Sequence, residues 1–355
     1  MKNIILLTLI FTVFLFTACN DDDSPAPAAP GVYVVGYENL DDQYHGQAKL
    51  WKDGVASNLS SPADYASAED VFVSGQDVYV AGSVGSLAKS QPTIWKNGNA
   101  TQLELTSSFI GGLATRIVVV GKDVYAIGYV SDSNYKKYAT FWKNGKISII
   151  EQKPGQIYFN GLAVSGSDVY VGGTEYVNSK GVATIWKNGV VSRIGPVDGT
   201  TYTGIDDITI AGADVYALGL RQKEGADLEV VVWKNGVAGV IATNTEGIEL
   251  EDIHVSGGDV YAAGFMYKQR KGRGVIWKNG VATELTDGTI FSAAKSIFAI
   301  DGDIYVTGFI NVDYSGNGSS GSYRSAKLWK NGVVTDLSTN GSKFDSEALG
   351  IFVVK

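Results

Sequence analysis

The chain has 355 residues and a formal net charge of -8. That balance excludes a nucleic-acid binder, which needs basic surface to displace counterions from phosphates. One cysteine excludes an internal disulfide. Forty-four glycines, two methionines and no sustained helical period, with short Val/Ile/Tyr runs throughout, predict strands joined by tight turns.

The N-terminus is read first. A charged start (Met1-Lys2-Asn3) precedes the apolar run Ile4 to Phe16, too short for a comfortable membrane span and suited to a signal-peptide core. Phe16-Thr17-Ala18-Cys19 resembles the lipobox of bacterial lipoproteins, with Phe16 where leucine is usual. The resemblance implies cleavage before Cys19 and a lipid on its sulfur; the other reading is an ordinary secreted protein with a leftover thiol. Asn20-Asp21-Asp22-Asp23 resembles the surface-export signal of lipoproteins from the Bacteroides and Flavobacterium group, and equally reads as a solvated spacer. The resemblance implies a bacterial outer-membrane protein, lipid-anchored and exposed at the cell surface. Ser24 to Pro30 is a Pro/Ala linker that would extend ~3.1 Å per residue. The expected organisation is a signal peptide over 1–18, a lipidated cysteine with acidic and Pro/Ala linker over 19–30, and one domain over 31–355.

Seven tryptophans follow: Trp51, Trp95, Trp142, Trp186, Trp233, Trp277 and Trp329. Each opens the phrase Trp-Lys-Asn-Gly (Trp-Lys-Asp-Gly in the first), at spacings of 44, 47, 44, 47, 44 and 52 residues. A fixed period in that range marks a repeat architecture. Upstream of each lies Asp-Val-Tyr-x-x-Gly, around Tyr79, Tyr125, Tyr170, Tyr216 and Tyr261. The last copy is Asp303-Ile304-Tyr305, and the first, Gly31-Val32-Tyr33, lacks the aspartate. An apolar run and a turn precede the phrase, as in Val71-Phe72-Val73-Ser74-Gly75.

One repeat thus predicts four short strands: an apolar inner strand, the Tyr strand, the Trp strand, and an outer strand after Asn-Gly. Asn-Gly is a strong hairpin signal because both central positions take positive φ. Four-stranded units in a ring make a β-propeller. The first repeat has no inner strand, and the chain ends in Leu349 to Lys355, an inner strand with no Tyr strand after it. The expectation is an all-β, seven-bladed β-propeller of four-stranded antiparallel blades, its ring closed by the C-terminal strand completing blade one. Over residues 31–355 the Asp-x-Tyr-Val-x-Gly…Trp phrase resembles kelch propellers, although the double glycine occurs once, at Gly172-Gly173, and the second kelch tryptophan is missing. No Gly-His…Trp-Asp phrase of the WD40 type is present. With the lipobox, the resemblance is to a kelch-like propeller lipoprotein of the Bacteroides/Flavobacterium surface type, which implies no catalytic residue and no cofactor.

The repeated Trp and Tyr are expected to pack between blades, and the Lys after each Trp to face the Asp before each Tyr. By strand direction, both termini and the tether lie at one end, and the longer variable loops at the other. That far face carries Tyr65, Phe109, Tyr158, Tyr202, Phe291 and Phe344, with Ile248 in the remaining repeat. Nearer the axis stand Glu69-Asp70, Thr115-Arg116, Asn160, Asp206-Asp207, Glu251-Asp252 and Lys295-Ser296. Aromatic platforms beside polar groups suit sugars; the alternative is that the rings cap the blade ends and the carboxylates are solvated. Asn311 to Gly316 echoes a calcium loop but has Ser322 where the bidentate glutamate belongs. With His45 and His254 the sole histidines, no metal is expected.

Three functions are open. The first is a surface-tethered, monomeric, non-enzymatic binding module for a glycan or an extracellular protein. The second is a glycan-cleaving enzyme using paired carboxylates such as Asp207 and Asp252, which need a separation of ~5–9.5 Å. The third is a structural envelope protein with no small ligand.

Overall fold

The computed structural model describes residues 29–355 except 42–44, 63, 87–88, 150–154, 196–199, 245–246, 317–318 and 340–343. The expected signal peptide, Cys19 and the linker as far as residue 28 lie outside the described residues. The described chain is all β. Its strands run in chain order as β1 (Gly31–Asn39), β2 (Gly46–Lys52) and β3 (Val55–Asn58). Then come β4 (Tyr65–Ser74), β5 (Asp77–Ser86), β6 (Lys89–Lys96), β7 (Asn99–Gln102), β8 (Gly111–Val120), β9 (Asp123–Ser131), β10 (Lys137–Lys143) and β11 (Lys146–Ile149). The middle of the chain gives β12 (Ile157–Ser165), β13 (Asp168–Val177), β14 (Lys180–Lys187), β15 (Val190–Arg193), β16 (Thr200–Ala211), β17 (Asp214–Lys223), β18 (Leu228–Lys234) and β19 (Val237–Asn244). The last are β20 (Ile248–Ser256), β21 (Asp259–Lys268), β22 (Lys271–Lys278), β23 (Val281–Glu284), β24 (Ser292–Ile300), β25 (Asp303–Gly316), β26 (Ser319–Lys330), β27 (Val333–Asp336) and β28 (Ser346–Val354).

Hydrogen bonding groups them into six sheets. Five have four antiparallel strands, including β28-β1-β2-β3. The sixth has eight, in which β12–β15 and β16–β19 meet through one parallel bridge, Gly181 to Tyr202. β28 pairs with β1 from Gly31–Val354 to Glu38–Ser346. The innermost strands neighbour one another in the order β4, β8, β12, β16, β20, β24, β28 and back to β4. This is a β-propeller fold.

The repeated phrases explain the local structure. Asn97 has φ 51° and Gly98 φ 80°, and the same pair of angles recurs at each Asn-Gly, so the Trp strand turns tightly into the outer strand. The asparagine then clasps the neighbouring strand: Asn97 Oδ1 accepts from Val78 N at 2.8 Å and its Nδ2 donates to Asp77 Oδ1 at 2.6 Å. Lys96 Nζ lies 2.7 Å from Asp77 Oδ2 and 5.2 Å from the Tyr79 ring centroid. The tryptophans fill the seams between sheets. Trp142 shares one buried cluster with Tyr79, Ile94 and Leu103 of the preceding repeat and Ile117 of its own. Burying a ring of that size in every seam is the main apolar term holding neighbours together.

Inner strands start earlier than their apolar runs predict. β4 begins at Tyr65, so Tyr65, Tyr158 and Tyr202 stand on strands rather than in free loops. The Tyr strands are long, and inner strands extend to pair with them. Residues 311–316 also lie in a strand, β25, and not in a loop of the calcium-binding kind. Gly31, Val354 and the Lys52–Gly54 turn share one end of the first sheet, opposite the Asn39–Gly46 end.

Candidate functional site at the channel mouth

Every inner strand carries a β-bulge opposite the glycine of the Tyr phrase. The pairing skips Glu69, Thr115, Asn160, Asp206, Glu251, Lys295 and, on β28, Leu349. The glycine is required by close approach: a Cβ on Gly128 would sit 1.9 Å from Leu113 O, and one on Gly219 1.9 Å from Gly204 O. A bulge turns two successive side chains toward one side. Each inner strand therefore turns two successive positions to the axis, the bulged one above and its successor below, the successor being glycine on β12 (Gly161) and β28 (Gly350).

The lower tier is structural. Asp70 Oδ2 accepts from Ile117 N at 2.9 Å, Asp207 Oδ2 from Ile253 N at 3.1 Å, and Asp252 Oδ2 from Ile297 N at 2.8 Å. Each carboxylate stitches its strand to the next inner strand, meeting an N–H that the sheet leaves free. Burial pushes the Asp70 carboxyl up to about 6 against the pull of Arg116. Burial, then the charge of Asp252, raises Asp207 well above the usual carboxylate range. Arg116 crosses the channel, donating to Glu251 O at 3.0 Å and standing 3.8 Å from Asp207 Oδ1. Burial opposes its charge, but Asp207, Asp70 and Asp252 outweigh it and keep the guanidinium protonated. Beneath lies a small cavity of about 140 Å³ that also touches Asp252, His254 and Ser296. His254 packs on Phe298 at 4.4 Å, and burial lowers its imidazole.

The upper tier opens into a pocket of about 350 Å³ on the loop face. Tyr129, Lys137, Tyr158, Asn160, Asp206 and Glu251 line it, with Thr115 and Arg116 among its walls. Tyr158 is 45% exposed, edge-on to Tyr176 at 6.0 Å. Lys137 Nζ sits 3.8 Å from the Tyr129 ring centroid. Asn160 Nδ2 donates to Ile205 O at 2.8 Å, and Glu251 pairs with Lys295 at 2.5 Å. Burial raises Glu251, although Lys295 opposes it. Asp206 differs: its Oδ2 is buried with no hydrogen-bond partner. Burial, then the charges of Glu251 and Glu249, push its carboxyl up to about 7.

Thus Tyr158, Asn160, Arg116, Asp206 and Glu251 converge, whereas the other expected site residues stand elsewhere. Glu69, raised by burial, lines the smaller inner cavity, while Asp70, Asp207 and Asp252 are the stitches. Tyr65 packs against His45 at 4.6 Å, the rings tilted by 50°, and lines a separate groove of about 280 Å³. Phe109 packs on Tyr138 at 5.3 Å, and Phe291 stacks on Phe309 at 5.8 Å. Tyr202 covers Gly181, where an added Cβ would lie 2.4 Å from the ring. Phe344 is half-buried and Ile248 buried. Of the six aromatics, Tyr158 alone is exposed. Lys137 carried no sequence signal, because its place in the pocket depends on strand register, which pairs it with Ser131.

No protein-family model and no curated protein matches the sequence. Solved structures do match in fold. The β-propeller domain of the trilobed protease from Pyrococcus furiosus is 11% identical with a TM-score of 0.52, covering 90% of this chain and 98% of that one. The acylaminoacyl peptidase of Pyrococcus horikoshii is 13% identical with a TM-score of 0.51, covering 87% of this chain and 50% of that one. TolB from Acinetobacter baumannii is 11% identical with a TM-score of 0.44; the match covers 73% of this chain and 63% of TolB. The likeness to the two Pyrococcus structures defines the class, a β-propeller, and at such identities carries no activity with it.

Proposed function

We propose that the chain is a surface lipoprotein whose propeller, residues 31–355, binds a glycan on the face away from its tether. One observation carries the binding reading: a loop-face pocket sets the exposed Tyr158 ring beside Asp206, a buried carboxyl with an unused oxygen. A sugar stacks its C–H face on such a ring and meets its hydroxyls with the polar side chains that line the pocket, Asn160, Asp206 and Glu251. The lipobox-like Phe16–Cys19 and the acidic run after it support the tether and its outward orientation. Gly31, where the propeller begins, lies at the end of the first sheet opposite the Asn39–Gly46 loop, so a tether joined there would leave the loop-face pocket free. A kelch-like ring of seven blades is supported by seven four-strand repeats, by the single bridge that alone joins two of them, and by the β28–β1 pairing. The ring acts as a monomer. Cleavage by Asp207 and Asp252 is disfavoured, since each already spends an oxygen on a neighbouring backbone N–H.

A glycan array followed by calorimetry on the best-bound sugar tests the reading. Tyr158→Ala and Asp206→Asn each weaken binding at least ~10-fold, as for central contact residues, and Tyr65→Ala leaves it unchanged. Binding indifferent to both pocket changes overturns the site. Separately, Cys19→Ala moves the protein from the membrane to the soluble fraction, and protease added to intact cells digests the wild type.

A further inference from the structure

Exposed aromatic rings are few among the described residues, and they belong to two neighbouring repeats. Tyr135, Tyr158 and Tyr176 are 68%, 45% and 38% exposed. All three stand on the loop face of the third and fourth repeats: Tyr135 between β9 and β10, Tyr158 early in β12 and Tyr176 near the end of β13. Gly155 links the two repeats. Its N–H donates to Lys137 O at 3.1 Å, and a Cβ on it would lie 3.8 Å from the Tyr158 hydroxyl. Lys137 and Tyr158 therefore share one lip of the pocket.

The acids of this patch are already engaged. Asp132 Oδ1 accepts from Asn134 N at 2.8 Å and Lys136 N at 3.0 Å, and Tyr138 donates to Oδ2 at 3.2 Å, which pins the loop that carries Tyr135. Glu175 takes both arms of Arg193, at 2.7 and 2.8 Å. Glu251 pairs with Lys295. Asp206, which burial pushes up to about 7, carries little charge below that pH.

Two cations of the patch are not engaged in this way. Lys137 lies on the Tyr129 ring, and Lys180 stands exposed at the tip of the β13–β14 hairpin, opposite Val177. Among the described residues neither has a carboxylate partner. The lysines of the Trp phrase, at the other end of the sheets, contrast with them: in six of the seven repeats Nζ lies 2.7 to 3.3 Å from an aspartate.

We propose that the glycan taken by this face is an acidic polysaccharide, its charged groups meeting Lys137 and Lys180 while a pyranose ring lies on Tyr158. This rests on the glycan reading and narrows it. A chain of net charge -8 repels a polyanion over most of its surface. At physiological salt the Debye length is ~8 Å, so the distant acids are screened whereas an anion touching Lys137 is not. A lysine is a point charge and serves a carboxylate or a sulfate ester alike. An acidic peptide would satisfy the lysines but would leave the tyrosine faces without a ring to cover them.

Affinity electrophoresis of the whole protein tests the inference, in gels holding polygalacturonate, its methyl ester, dextran sulfate or dextran. Each acidic polymer has a neutral twin on the same backbone. One acidic polymer should retard the protein with an affinity at least ~10-fold above that of its twin, and which of the two does so identifies the charged group. Retention should fall as salt is raised. Lys137→Gln should weaken it about 3-fold and the Lys137→Gln, Lys180→Gln double variant about 10-fold. Tyr158→Ala should weaken it at least ~10-fold, and Lys122→Gln, in the turn at the opposite end of β8 and β9, should leave it unchanged. Equal retention by the neutral twin, or wild-type retention in the double lysine variant, overturns the inference and leaves the glycan reading standing. So does a protein that binds neutral sugars on the array and neither acidic polymer. Retention by poly-glutamate that is indifferent to Tyr158→Ala also overturns it, in favour of an acidic protein. Silence of the whole array removes both readings.

Discussion

The glycine of the Tyr phrase is the residue on which the site depends. At Gly128 a methyl group would be driven to 1.9 Å from Leu113 O, which is backbone and has nowhere to go. The bulge on β8 would have to shift, taking Arg116 with it. Gly128→Ala should therefore cost about 3 kcal/mol or more in denaturant unfolding. Gly98→Ala, at φ 80° with nothing within 4 Å of its Cβ position, should cost about 1 kcal/mol. Equal costs would mean that the close approach is not what fixes the glycine. The phrase was plain in the sequence and its cause was not. Glu69-Asp70 and Asp206-Asp207 were legible as polar pairs near the axis, but strict alternation would have aimed one residue of each pair away. The bulge, an event of pairing between strands, puts both at the channel and divides them into a pocket residue and a stitch.

At the scale of the element, the first repeat departs from the others twice, and the two departures fit. It has Asp53 where the others have asparagine, and Gly31 where they have aspartate. Asp53 Oδ1 still accepts from Val32 N at 2.8 Å, as Asn97 Oδ1 does from Val78 N. A carboxylate cannot donate, so the second half of the clasp, Asn97 Nδ2 to Asp77, has no counterpart, and an aspartate at position 31 would repel Asp53. Asn97→Asp alone should therefore destabilise the protein by about 1 kcal/mol, as like charges opposed across strands do. Asp77→Gly added to it should recover part of that loss, and the coupling is read from a double-mutant cycle. Additive effects would deny the clasp. Turns, strand order and the Lys–Asp pairs were readable from the repeat because they are local or one hairpin away. The aromatic ring of the loop face was not, because whether Phe291 or Tyr202 stands free depends on Gly272 and Gly181 in the preceding repeat, which leave room for the rings to lie down over the seam.

Across the whole molecule, two populations of carboxyl groups oppose each other in pH. At the Asn-Gly turn end of the sheets, Asp77, Asp123, Asp168, Asp214 and Asp259 are held below the usual range by the lysine and then the asparagine of the Trp phrase, with Asp123 lowered to about 2. A lowered folded-state pKa gives stability that is present above the unfolded value, ~3.9 for aspartate, and lost as pH falls below it. At the axis, burial raises Glu69, Asp70, Asp206, Asp207 and Glu251, with Asp70 at about 6 and Asp206 at about 7. A raised carboxyl binds its proton more tightly in the folded state, so its contribution is full below ~3.9 and drains away as pH rises through the folded value. His254, lowered by burial, has the opposite sign on the acid side of neutrality, but it is one group against five. The unfolding temperature should therefore peak near pH ~4–5 and decline toward pH ~7.5. Asp206→Asn should flatten the upper part of that decline and be more favourable, relative to the wild type, at pH ~7.5 than at pH ~4, because the asparagine has no proton to lose. Differential scanning calorimetry across that range decides it. A midpoint that rises steadily from pH ~4 to ~7.5 would show that the axial carboxyls are well solvated, and the proposed glycan site would then lack the buried Asp206 carboxyl on which the reading rests.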